Sequence, residues 1–178
     1  MRPYRGGMRA RLLTLCVATA TMLALVAGPA EAARRSVGDT VGDAPARLDI
    51  TRLTVSNTSD RIRAIVHVRD LRRTGTFQQR YFGSDFDTLL SYGVQVRRDR
   101  HGQLHVHAFR DDENGDNFIA SPGVRGHWLM DRDRVVTSMP VRCATGVAFD
   151  PLHVNAVSFD PGDLGVADST RSFSVALD

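Results

Sequence analysis

The clearest pattern in the chain is the strict alternation that begins at Arg61. Ile62, Ala64, Val66 and Val68 fall on one side, and Arg63, Ile65, His67 and Arg69 on the other. That period of two predicts a β-strand with one face on a core and the other in water. The same pattern returns in Leu90, Tyr92, Val94 and Val96, and again in Leu104, Val106 and Ala108, with His105, His107 and Phe109 opposite. The charged stretch 97–102 between these two runs predicts a hairpin. Gly126 to Met130 and Val135 to Met139 read as another pair, Val154 to Phe159 as a strand closed by Asp160-Pro161-Gly162, and Ser172 to Leu177 as the last strand.

The first strand follows a loop, V-G-D-T-V-G-D-A-P-A-R, that runs from Val37. Gly38, Gly42 and Pro45 rule out a regular helix there. Ile50, Thr51, Thr54 and Val55 then favour an extended chain. In a regular strand, Leu48 and Ile50 would face away from Leu53 and Val55, so a bulge is expected near Thr51 or Arg52. The stretch from Leu71 to Asp85 reads as a long connection, with room for a short strand, that packs Phe77, Tyr81 and Phe82 over one end of the core. Val141 to Gly146 reads as an irregular piece with room for one helical turn.

These segments add up to about eight strands separated by short turns, with no helical stripe after residue 32. The expected fold is all-β: a two-sheet antiparallel β-sandwich, wound as a jelly roll or like an immunoglobulin domain. A closed barrel is the alternative. Trp128, the single tryptophan, is expected to anchor the core.

The first 32 residues follow another logic. Arg2, Arg5, Arg9 and Arg11 precede a 16-residue apolar run, Leu12 to Ala27, and Gly28-Pro29 and Ala30-Glu31-Ala32 close it. A basic start, an apolar stretch shorter than a membrane span and a small-x-small site describe a signal-peptide helix cleaved after Ala32. The expected layout is therefore a signal peptide over 1–32, an acidic loop over 33–47 and the sandwich over 48–178. The expected product is secreted, of bacterial composition and without a membrane span after cleavage.

Removing the leader changes the charge. It takes away four arginines and Glu31, so 23 basic residues become 19 and 20 acidic residues become 19. A net charge near zero removes the main reason to expect a nucleic-acid partner. Every basic residue is arginine, so no lysine nucleophile exists. Of the two cysteines, Cys16 leaves with the leader. Cys143 then has no intramolecular partner and reads as a small buried hydrophobe.

Three places carry candidate chemistry. The first is the acidic loop, where Asp39, Asp43 and Asp49 offer the oxygens that a hard cation takes. The pattern D-x-x-G-D over 39–43, followed by Asp49-Ile50 and a strand, resembles the start of exported sandwich domains such as the Asp-rich module attached to glucodextranase-type enzymes. The resemblance implies a calcium ion near the start of that strand. The second place is 111–117, D-D-E-N-G-D-N. It fails as an EF-hand loop, because counting from Asp112 the sixth position is Asn117 and the twelfth is Gly123. It reads as a solvated turn. The third is His105-x-His107, two imidazoles on one strand face that suit Zn or Cu if a neighbouring strand adds a ligand.

No nucleophile elbow, zinc-protease helix or phosphate-binding glycine loop is present. The paired carboxylates Asp85 with Asp87 and Asp131 with Asp133 read as solvated turn acids. Arg61, Arg63 and Arg69 read as a wet-face strip balanced by surface ion pairs. The expected role is a non-enzymatic binding or surface-interaction module, calcium-stabilised, whose partner is a polysaccharide or cell-surface component. One alternative is an extracellular Zn- or Cu-binding protein using His105 and His107. A weaker one is a small hydrolase using Asp pairs.

Overall fold

The structure is a computed structural model that describes residues 33–83, 90–112, 115–120, 122–144, 150–160 and 165–178. The chain divides into two compact units, Met1–Glu31 and Ala32–Asp178. The expected leader with its expected cleavage site, Cys16, Asp85 with Asp87, and Glu113 with Asn114 lie outside the described residues.

Among the described residues twelve strands build two antiparallel sheets that do not close into a barrel. In chain order they are β1 (Ala33–Gly38), β2 (Ile50–Asn57), β3 (Arg61–Val68), β4 (Gly75–Phe82), β5 (Ser91–Arg98), β6 (Leu104–Asp112), β7 (Gly115–Ile119), β8 (Arg125–Leu129), β9 (Arg134–Pro140), β10 (Leu152–Phe159), β11 (Val166–Ser169) and β12 (Phe173–Val175). One sheet has the order β1-β2-β3-β9-β8. The other has the order β11-β10-β4-β5-β6-β7, and β12 shares with β11 the free edge of β10. The expected β-sandwich is therefore present. Among the described residues helical structure is limited to two single 3-10 turns, Met130–Arg132 and Val141–Cys143, and no helix is long and apolar enough to cross a membrane.

The alternation becomes a core between the sheets. Leu53, Val55, Ile62, Ala64, Val66, Val135 and Met139 of the first sheet are fully buried. They meet Phe77, Tyr81, Val94, Val96, Leu152, Val154 and Ala156 of the second. Each large apolar side chain removed from water in this way stabilises the fold by roughly 1.5–3 kcal/mol. Trp128 is half-buried against this core. Its ring meets Phe77 edge-on at 5.5 Å, and its indole N–H donates to the Arg72 carbonyl at 2.8 Å. Cys143 is a free thiol, half-buried against the same core.

The bulge lies where the apolar pattern demands one. The β2–β3 register shifts between Ile50 and Arg52, and as a result Leu48, Ile50, Leu53 and Val55 are all fully buried. Without that extra residue one pair would face water.

The strand count differs from the eight expected, because four strands lack an apolar alternation. Residues 33–38 form β1 rather than part of an acidic loop: a polar edge strand with only Val37 buried. The connection after Leu71 contains β4, a central strand whose glutamines Gln78 and Gln79 are buried. β7 continues the ladder beyond β6 as far as the Asp112–Gly115 pair, so most of the stretch 111–117 read as an acidic turn belongs to strands. β11 is a short edge strand whose carboxylate Asp168 is buried.

Candidate metal centre

The acidic loop is folded by its own small residues. Leu48 N–H and Asp49 N–H both donate to the Pro45 carbonyl, at 2.7 and 3.0 Å, which curls the chain just before β2. Gly42 takes a left-handed φ of +96°, a backbone state that costs glycine little. This lets its N–H reach the Asp49 carboxylate, where it donates to Oδ2 at 2.8 Å. Asp39, directly after β1, donates its N–H to the Thr51 carbonyl at 3.1 Å and accepts from Thr40 N–H at 3.0 Å.

This loop is tied to the second sheet at three points. The Leu48 carbonyl accepts from Ser158 Oγ at 2.8 Å, and Arg47 pairs with Asp160 at 2.6 Å. Ile50 N–H donates to Asp168 Oδ2 at 2.6 Å. The third tie carries Asp168 from β11 across to the start of β2. Asp43, Asp49 and Asp168 consequently offer one carboxylate oxygen each within 4.8 Å of one another. Asp43 is exposed, while Asp49 is 0% and Asp168 8% exposed.

The electrostatics are strongly one-sided. Burial raises the Asp168 carboxyl above its ordinary range, and the nearby Asp43 and Asp39 raise it further. Donors from Ile50 and Ser169 pull the other way. Burial also raises Asp39, with Asp43 and Asp49 adding to the effect. Against these four acids stands Arg69, 3.4 Å from Asp49 Oδ2 and itself half exposed, and Arg171 exerts a pull on Asp39. Asp49 Oδ1 is buried and has no hydrogen-bond partner among the described residues; neither has Asp39 Oδ2. An unpaired oxygen on a fully buried carboxylate is costly. A divalent cation would be its natural counter-charge. Three carboxylate oxygens suit a hard ion such as calcium rather than one that prefers nitrogen or sulfur.

Of the three loop acids expected at this site, the structure groups Asp43 with Asp49 and leaves Asp39 beside them. The third member, Asp168, comes from 119 residues beyond Asp49 and from the other sheet. Nothing in V-A-D-S marks it locally. Only the β2–β11 proximity reveals it.

The other candidates are engaged differently. His105 Nε2 lies 3.1 Å from Asp99 Oδ2, and that bond is the main reason the Asp99 carboxyl lies below its ordinary range. Asp99 also accepts from His101 and Gln103 N–H, both at 2.9 Å, so it organises the β5–β6 turn. His107 packs its ring against Phe118 with centroids 4.9 Å apart. Among the described residues neither histidine belongs to a three-ligand group. Asp133, at a left-handed φ of 49°, accepts from Leu71 N–H at 2.9 Å, and Asp131 lies exposed beside Arg132. Arg69 fits the ion-pair expectation; Arg61 and Arg63 do not, because no described carboxylate pairs with either. Compared with known proteins, the chain matches no family model and no curated protein.

Proposed function

We propose that this chain is an exported, non-enzymatic binding module whose β-sandwich is stabilised by a calcium ion. The observation that carries the calcium is Asp49, wholly buried with one carboxylate oxygen unpartnered and with Asp43 and Asp168 converging on it. The export rests on the leader pattern of residues 1–32. The binding role rests on the sandwich and on a sequence without a catalytic motif.

Thermal melts in EDTA and in calcium test the metal. A ligand at a hundred times its Kd stabilises by about 2.7 kcal/mol. For a domain of this size that is a rise in Tm of roughly 5–10 °C. Asp43→Asn removes the exposed ligand without touching a described hydrogen bond. It is expected to shrink the calcium shift and, by removing a charge that repels Asp39 and Asp168, to leave the Tm in EDTA equal to or above the parent's. An identical melt with and without calcium in the parent protein would sink the calcium reading.

A further inference from the structure

The outer face of the five-stranded sheet carries a charge pattern that the near-neutral composition hides. Cross-strand register assigns the outward positions. One row reads Arg34, Ser56, Arg63, Ser138, Arg125 across β1, β2, β3, β9 and β8. The next reads Ser36, Thr54, Ile65, Val136, His127, and the third Gly38, Arg52, His67, Arg134, Leu129. Two contacts confirm that these side chains share a face: Ser36 Oγ lies 2.8 Å from Thr54 Oγ1, and Arg61 Nε donates to Ser138 Oγ at 2.8 Å. With Arg61, the face holds six arginines and two histidines, and none of the five strands contains an Asp or Glu.

No described carboxylate pairs with any of the six arginines. Arg134 Nε is buried without a hydrogen-bond partner. Arg61, Arg63, Arg125, His127 and Ser138 line a shallow cavity of about 300 Å³. Six guanidinium groups gathered on one face while the acids collect elsewhere create a concentrated positive field that calls for a compensating anion.

We propose that this face binds a linear anionic polysaccharide running across the strands. In the first row arginines stand on alternate strands, about 9–10 Å apart, separated by serines. That is close to the length of one disaccharide in an extended glycan, and it suits a polymer with an acidic group on every second sugar. Guanidinium groups recognise carboxylate and sulfate through paired hydrogen bonds, and the intervening serines can bond sugar hydroxyls. The outward positions include no Phe, Tyr or Trp. Single-stranded nucleic acid would therefore find no stacking platform, and a flat sheet face offers nothing to insert into a duplex groove. The proposal gives the binding role a ligand class and takes only the exported setting from that reading. It does not depend on the calcium.

Affinity electrophoresis and titration calorimetry in EDTA, using heparin, polygalacturonate and neutral dextran, test it. Binding to heparin or polygalacturonate that weakens with salt, and none to dextran, is expected; the tighter of the two identifies the anionic group. Arg34→Ser/Arg63→Ser/Arg125→Ser should weaken binding at least about tenfold and flatten its salt dependence, with Arg125→Ser alone giving a smaller loss should the triple variant not fold. A matched triple off this face, Arg73→Ser/Arg97→Ser/Arg100→Ser, should bind like the parent. Any of four results overturns the proposal: no binding to either polyanion, equal loss in the control triple, tighter binding to duplex DNA or phosphatidylglycerol vesicles at the same salt, or binding that needs calcium and vanishes in Asp43→Asn. A flat calcium melt leaves this measurement unaffected, so the two readings fail separately.

Discussion

Gly93 occupies a place on β5 where a Cβ would overlap both the Gln79 carbonyl oxygen and the Phe109 ring. The ring end can swing, but the backbone of β4 cannot. Gly93→Ala is expected to cost at least about 2–3 kcal/mol, read as a lower urea midpoint at unchanged m-value. Asp49 gives a second residue-scale expectation. Asp49→Ala removes the acceptor of Gly42 N–H and the partner of Arg69 together with a buried charge that lacks a counter-ion in EDTA, so its stability loss is expected to be larger in calcium than in EDTA, read from paired thermal melts. Asp43→Asn, by contrast, relieves repulsion in EDTA and shows its cost only when calcium is added. Chemistry at this scale was half legible from sequence. Asp43 and Asp49 sit in a glycine-bearing loop whose composition advertises oxygens, whereas Asp168 sits in a polar tetrapeptide like many others. The histidine pair was legible as a pair, but its surroundings, Asp99 and Phe118, depend on turn geometry and on a strand that sequence did not reveal.

At the scale of elements, sequence showed what alternates and hid what does not. β3 and the β5–β6 hairpin follow directly from period two. The β2 bulge also follows, because four apolar residues on conflicting faces can all be buried only with an inserted residue. β4 was legible only as room for a short strand, not as a central one, because a strand buried on both faces need not alternate, and here it buries Gln78 and Gln79. β1 and β11 are edges, made by pairing to a neighbour rather than by apolar content. The middle of the basic sheet makes a pH prediction. His67 on β3 is flanked by Arg52 on β2 and Arg134 on β9, with Arg34 of β1 also acting on it. Partial burial, first, and then these charges lower its pKa from the ordinary 6.5. The unfolded chain therefore takes up this proton before the folded one does. Stability from this source is intact above about pH 6.5 and falls as pH drops through that value toward the folded pKa. His67→Gln should lose less stability than the parent between pH 7 and pH 5 in urea titrations. Equal losses would show that the histidine is not a source of acid sensitivity.

For the molecule as a whole, the sandwich was legible and its polarity was not. A net charge of only +3 conceals a sheet face with no acid and a loop end crowded with them. That separation depends on which residues face outward and on the β1-β2-β3-β9-β8 order, which joins strands far apart in sequence. Surface ion pairing was expected from equal totals, yet Arg61 and Arg63 have no acid in the strands beside them. Composition counts charges without placing them, and placement decides partners.

The acidic centre belongs to neither layer. Asp43 and Asp49 lead into one, Asp168 borders the other, and Ile50 N–H already reaches across to it. Whatever grips all three carboxylates works as a clasp at one mouth of the sandwich. Unfastening it with a chelator should let the layers part from that mouth first, so amide exchange at Ile50 and along β11 would quicken while β3 and β5 keep their protection.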